Sequence, residues 1–238
     1  EADYEIVDLP GTYSLTANSV EERITRDYII HESPDIVVAV VDAAIPERSL
    51  YLLAELILLP VPVVLALNMM DVAEQEGLQI EPDVLEAALG IPVVPMSATQ
   101  NQGVREMLAA IQTVCEGEYP YNPRRPTIRT DHQAVLSDLI ALVADYVPEN
   151  YPVDWTALKL LEGDEEVIGL VRELMPAERW QKVDALLYKH EDAILDIAGA
   201  RYEWIARMVR AAVVRPRVGQ VGFTSRLDSV LTHPVWGT

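Results

Sequence analysis

The sequence predicts an α/β fold: a parallel sheet with helices on both faces, followed by an all-α helical subdomain. Three observations carry this. Apolar runs of strand length alternate with segments of helical period as far as Gly117, and strands joined through helices lie parallel with right-handed crossovers. Two of those runs, residues 36–42 and 61–68, are almost unbroken aliphatic sequence, as expected of strands covered on both sides. Beyond Gly117 the alternation stops and only helical periodicity remains.

Taken in order, Tyr4-Glu5-Ile6-Val7-Asp8 reads as a strand ending on a carboxylate. Ser19-Val20-Glu21-Glu22 is a capping-box pattern, in which the Ser and the Glu three residues later satisfy each other's amide donors, and it opens a helix to about residue 33. Strand 36–42, a helix over 46–59 and strand 61–68 follow. A shorter helix over 82–89 ends at Gly90, where a left-handed cap costs little. Strand 92–97 and a helix over 103–116 complete an α/β domain of residues 1–117. Pro120, Pro123 and Pro126 mark 118–126 as a linker. Helical patterns then occupy 131–147, 155–161, 164–175 and 176–214 within a helical domain of residues 127–215. The last pattern carries Trp180, Val183, Leu187, Ile194, Ile197, Ile205 and Val209, and is long enough for two helices or one bent one. Residues 50–70 are apolar enough to suggest a membrane span, but Glu55, Pro60, Pro62 and Asn68 interrupt them. They read as a helix followed by a buried strand.

Composition narrows the function. A formal net charge of -20 argues against a nucleic-acid surface, because phosphate binding needs clustered Lys and Arg. Cys115 is the only cysteine, so an internal disulfide and a Cys-based zinc site are excluded, in keeping with a reducing cytosol. The first residues lack the basic start and apolar core of a signal peptide. His31, His132, His190 and His233 are scattered without ligand spacing. His190-Glu191-Asp192 reads as a solvated helix face, since adjacent helical residues point in different directions. Trp155, Trp180, Tyr188, Tyr202 and Trp204 fit helix–helix packing.

Each strand end carries polar residues. Asp8-Leu9-Pro10-Gly11 follows the first predicted strand. A carboxylate there can hold a magnesium ion through water, and a glycine amide can approach a terminal phosphate unobstructed; the same residues also suit a simple turn. Asn68-Met69-Met70-Asp71 ends the strand at 61–68. Its Asn can bridge loops, and its Asp can accept hydrogen bonds from the N1 and 2-amino donors of guanine. Ser97-Ala98-Thr99 ends the next strand, where a backbone N–H can meet the guanine O6. Singly these are weak signals; in this order, at successive strand ends, they form the arrangement of the regulatory GTPases.

With Val40-Val41-Asp42-Ala43 and the run Val7-Asp8-Leu9-Pro10-Gly11-Thr12-Tyr13-Ser14-Leu15, the chain resembles the ferrous iron transport protein B family. Met69 at the second position of the base motif, where most small GTPases have Lys, is usual there. The stretch from Leu227 to Gly237 resembles the family's approach to its first transmembrane helix, so residues 216–238 are expected to lead toward a membrane region. The resemblance implies a P-loop GTPase-like sheet that is incomplete in these residues, GTP or GDP and magnesium as ligands, and a helical spacer coupling nucleotide state to a permease. It implies Fe(II) as the transported ion, the cytoplasmic face of a bacterial inner membrane as the location, and a possible homo-oligomer. Asp8, Gly11, Asn68, Met69, Asp71, Ser97, Ala98 and Thr99 would contact nucleotide, Asp8 would bind magnesium through water, and Asp8 and Gly11 would serve catalysis. Leu9, Pro10, Thr12 and Tyr13 would belong to the second switch. Thr12 stands where other GTPases often carry a water-orienting Gln, so slow hydrolysis is expected.

No Gly-x-x-x-x-Gly-Lys-Ser/Thr occurs in the 238 residues, and Gly11 is the first glycine. The expectation is that the phosphate loop and first switch lie upstream in a parent protein, or that the sheet is rearranged or completed by another chain. Removing a central strand leaves strand edges unpaired. Residues 1–238 alone are expected to bind GTP poorly and hydrolyse it hardly at all. The competing readings are a non-catalytic GTPase-like module that gates a membrane partner, and another small GTPase of the same superfamily, such as one acting on ribosomes or tRNA. The latter proteins usually bring basic surfaces that this acidic chain lacks.

Overall fold

The computed structural model describes residues 3–16 and 19–214. Helix α1 (Val20–Glu32) opens on the predicted capping box: Ser19 Oγ accepts from the Glu22 N–H, and the Glu22 carboxylate accepts from the Ser19 N–H. The α/β part continues through β1 (Val37–Asp42), α2 (Pro46–Leu56), β2 (Val63–Asn68), α3 (Met70–Gln75), β3 (Gln79–Ile80), α4 (Pro82–Leu89), β4 (Val93–Pro95) and α5 (Val104–Cys115). Three strands make one parallel sheet in the order β1-β2-β4. In β2 five successive residues are buried, which explains its unbroken aliphatic sequence. Val63, Leu65 and Leu67 pack with α2 and α4 on one face, while Val64 and Ala66 pack with Ile111 and Val114 of α5 on the other.

The predicted strand over residues 4–8 does not form. Residues 3–12 have no regular structure and no sheet pairing, and Ile6 is 82% exposed. The cause is the lack of a partner. β1 pairs only with β2, and Val40 on β1 is 65% exposed, so no described strand adjoins either 4–8 or the outer edge of β1. A strand without a ladder leaves its amides to water and gains little from being extended.

The helical part comprises α6 (Thr130–Val143), α7 (Val153–Leu161), α8 (Glu165–Leu174), α9 (Ala177–Lys189) and α10 (Ala193–Ala212). The long final pattern is therefore two helices, divided at His190–Asp192. Helix α10 packs on α2 and α4 and hands the chain to β5 (Val213–Val214), which pairs antiparallel with β3. This two-residue ladder escaped the sequence reading, since two residues carry no period. The proline-containing segment 118–126 has no regular structure, but it is tied down. Tyr121 Oη accepts from the Val63 N–H at 2.9 Å, and Arg125 Nε donates to the Ile57 carbonyl at 3.0 Å. Trp204 Nε1 donates to the Arg124 carbonyl at 2.7 Å. Gly90, at φ 71°, lets this segment approach; a Cβ there would stand 2.0 Å from the Asn122 carbonyl oxygen.

Among the described residues, two clusters of charged side chains join the halves. Arg26 of α1 lies 2.8 Å from Glu166 and 3.6 Å from Asp164, the residue capping α8. Deeper, Glu55 of α2 is fully buried with Lys159 of α7 at 3.0 Å and Arg201 of α10 at 3.3 Å. Glu162 closes the cluster by pairing with both cations. Burial alone pushes the Glu55 carboxyl up; Lys159, Arg201 and the Leu15 N–H outweigh it and hold the carboxyl below its ordinary value. No helix among the described residues is long and apolar enough to cross a membrane. The predicted approach to a membrane at 216–238, with its stretch from Leu227 to Gly237, lies outside the described residues.

Candidate functional site

The parallel register sets Asp42 beside Asn68 at the carboxyl ends of β1 and β2, the edge of an α/β sheet where ligands bind. Asn68 Oδ1 accepts from the Ala98 N–H at 3.0 Å. Ser97, buried, accepts from the Asp71 N–H through its hydroxyl at 3.2 Å. Asp71 Oδ2 accepts from Gln100 Nε2 at 3.0 Å, and the Met70 N–H donates to the Met96 carbonyl at 3.1 Å. Four hydrogen bonds thus brace the loop after β2 against the loop after β4. Met69 makes the turn between β2 and α3 with φ 63°, a left-handed backbone that a non-glycine residue adopts only where its surroundings impose it. Ala98 and Thr99 are exposed on the second loop.

The residues expected to contact nucleotide, Asn68, Met69, Asp71, Ser97, Ala98 and Thr99, lie on these two braced loops. The sequence reading missed Gln100, which holds one Asp71 oxygen. Its place three residues beyond Ser97 was the available signal. Asp71 Oδ2 is thus taken by the exposed Gln100 side chain, and the other Asp71 oxygen has no side-chain partner among the described residues.

Asp8 and Gly11 stand apart from these loops. Both are exposed, and among the described residues neither forms a hydrogen bond or ion pair with them. Leu9 packs against the core, the Pro10 carbonyl accepts from Thr25 Oγ1 at 3.2 Å, and Thr12 Oγ1 donates to the Ser14 carbonyl at 2.7 Å. The Arg48 guanidinium lies over the Tyr13 ring at 3.6 Å. The firmest anchor of this segment is Glu55, whose carboxylate accepts from the Leu15 N–H and from Thr16 Oγ1. The sequence reading used Glu55 only as a break in an apolar run. A lone acid in such a helix is itself a signal, because buried carboxylates need partners. A water-bridged cation would find at Asp8 a carboxylate with no hydrogen bond or ion pair among the described residues.

Comparison with known proteins bears on the whole chain. The profile described as "Ferrous iron transport protein B" matches residues 1–111, and that of the "FeoB cytosolic helical domain" matches 131–214. The structure of mGMPPNP-bound NFeoB from S. thermophilus is 31% identical, with a TM-score of 0.75 over 86% of this chain and 78% of that one. The chain belongs to the ferrous iron transport protein B family. The cytosolic domain of the T. maritima FeoB iron transporter in a GDP form is 28% identical, with a TM-score of 0.73, covering 87% of this chain and 79% of that one. The Fe(2+) transporter FeoB of Escherichia coli (strain K12) is 33% identical over 243 residues, 98% of this chain. The chain spans 30% of the length of that relative. The α/β and helical parts described above correspond to these two profiles.

Proposed function

We propose that this FeoB family member binds GTP and GDP at the carboxyl edge of its sheet and, within its parent protein, couples GTP hydrolysis to Fe(II) uptake across a bacterial inner membrane. The observation that carries the reading is the bracing of Asn68–Asp71 against Ser97 and Ala98, with Gln100 giving up Asp71 Oδ2 to the base. It fixes a carboxylate where two adjacent donors of one purine edge can be recognised together, and among nucleobases guanine presents such a pair. In this reading Asp71 reads guanine, Asn68 and Ser97 hold the loops in register, and Ala98 and Thr99 face the O6. Met69 shapes the turn. Asp8, through a magnesium water, and the Gly11 amide sense the terminal phosphate, with Leu9, Pro10, Thr12 and Tyr13 as the second switch. Residues 1–117 form the nucleotide domain, 118–126 a connecting segment and 127–215 a spacer to a permease at the cytoplasmic face.

The relatives support it: one is a GDP-bound NFeoB and another an mGMPPNP-bound NFeoB. Residues 1–238 contain no Gly-x-x-x-x-Gly-Lys-Ser/Thr, the loop whose amides and Lys grip phosphates. By themselves they therefore bind GTP weakly and turn it over slowly. The test is a competition titration on the full-length protein with a fluorescent GDP. Displacement by GTP and GDP but not by ATP is expected, and equal displacement by ATP would overturn the reading.

A further inference from the structure

His132, His190 and Asp192, separated along the chain, meet at one end of the helical part. His132 lies in the first turn of α6 and is fully buried. His190 and Asp192 belong to the short junction between α9 and α10, so they are not the helix face that the sequence suggests, and the divergence of neighbouring helical side chains does not apply. One ligand atom from each lies within 4.8 Å of the others. His132 Nε2 is 3.4 Å from Asp192 Oδ1. Two ligands each ~2.1 Å from one ion at a tetrahedral angle stand about 3.4 Å apart, so this edge already has the required length. The His132 and His190 rings meet edge to face with centroids 5.9 Å apart.

The far side of the His132 ring is also organised. Its Nδ1 lies 2.8 Å from Asp196 Oδ2, and Asp196 is mostly buried. A carboxylate in that place fixes the Nδ1–H tautomer and leaves the Nε2 lone pair for a ligand, the outer support found behind metal-binding histidines. Arg129 is the competing cation. It pairs with Asp131 at 2.5 Å and with Asp192 Oδ2 at 3.3 Å. The two oxygens of Asp192 are thus divided: Oδ2 faces Arg129 and Oδ1 faces His132, so a cation at Oδ1 need not expel the guanidinium. Three carboxylates, Asp131, Asp192 and Asp196, surround that single guanidinium and leave the site electronegative.

We propose that His132, His190 and Asp192 bind a first-row divalent transition cation, with Asp196 positioning His132. Two imidazoles and one carboxylate suit Fe(II), Co(II), Ni(II) or Zn(II), whereas Mg(II) and Ca(II) prefer oxygen alone. The bound ion would clamp the start of α6 to the α9–α10 junction. This does not depend on the nucleotide reading.

The test is anaerobic titration of the full-length protein with Co(II), read by its ligand-field absorption and by metal analysis after desalting. Wild type is expected to hold one more Co(II) per chain than His190→Ala or Asp192→Asn. Both variants remove partly exposed side chains, so folding is retained, as circular dichroism would check. Zn(II) should displace this Co(II), Fe(II) should do so only in excess, and millimolar Mg(II) should not. Asp196→Asn should keep the stoichiometry and weaken affinity by about 10- to 100-fold. Equal Co(II) content in wild type and His190→Ala, or displacement by Mg(II), would overturn the proposal.

Discussion

The loops after β2 and β4 and the segment before α1 carry the two halves of one proposed site, yet they are held in different ways. The base-side loops leave strands paired in a ladder, and three side-chain hydrogen bonds and one backbone bond add cross-links near the sheet edge. The phosphate-side segment has no ladder, and its best anchor is a carboxylate on α2 that two helices of the other half also grip. Position in a sheet thus fixes one half of the site, whereas the other depends on tertiary charge contacts. That difference makes the phosphate side the one whose position answers to the helical part.

Breaking the anchor should separate the two halves most sharply. Lys159→Met leaves Glu55 with Arg201 as its one cationic partner among the described residues and should lower the unfolding free energy by about 3–5 kcal/mol, the usual cost of removing one partner of a buried pair, measured by urea denaturation. Hydrogen exchange should accelerate around Leu15 and Thr16 and stay unchanged in β2; equal acceleration in both would refute the division. Acid sharpens the same point. Because the folded Glu55 carboxyl is held below its ordinary value of 4.5, its contribution is full at neutral pH and is lost as pH falls through the lowered value. Glu55→Gln should therefore show a shallower loss of stability below pH 4.5 than the parent.

On the base side, Asp71→Asn exchanges an acceptor pair for a mixed one. It should weaken GDP by about 1–3 kcal/mol, the range for one bidentate base contact, while improving xanthosine diphosphate, in competition titrations. Ser97→Ala leaves the Asp71 N–H without its acceptor and should cost about 1–3 kcal/mol of stability, without disturbing exchange at Leu15. The smallest effect is expected at Ser19→Ala. Loss of the capping box should cost about 1 kcal/mol, seen as a lower thermal midpoint, with guanine selectivity intact.

What the sequence made legible follows the same division. The buried strands at 37–42 and 63–68, the Ser19 cap, Gly90 and the polar ends of the strands at 63–68 and 92–97 each rest on local pattern, and the structure agrees within a few residues. The strand over 4–8 failed because pairing is non-local: Ile6 and Val7 have strand chemistry but no neighbour. Gln100 and the cluster at His132 escaped for a related reason. Only tertiary folding brings His132 to His190, and no spacing rule spans that separation.

The short ladder between β3 and β5 bears on how movement would travel through the molecule. Val214 faces Gln79 and Val213 faces Ile80, and the Glu81 N–H donates to the Ala212 carbonyl at 2.9 Å. The Leu78 N–H in turn donates to the Ala73 carbonyl at 2.9 Å, inside the helix that begins beside Asp71. As a mechanical linkage, this is a short strut from the end of α10 to the base-side loop that bypasses α6 to α9. A tug on the chain at Val214 would load that strut before it strained the rest of the helical part.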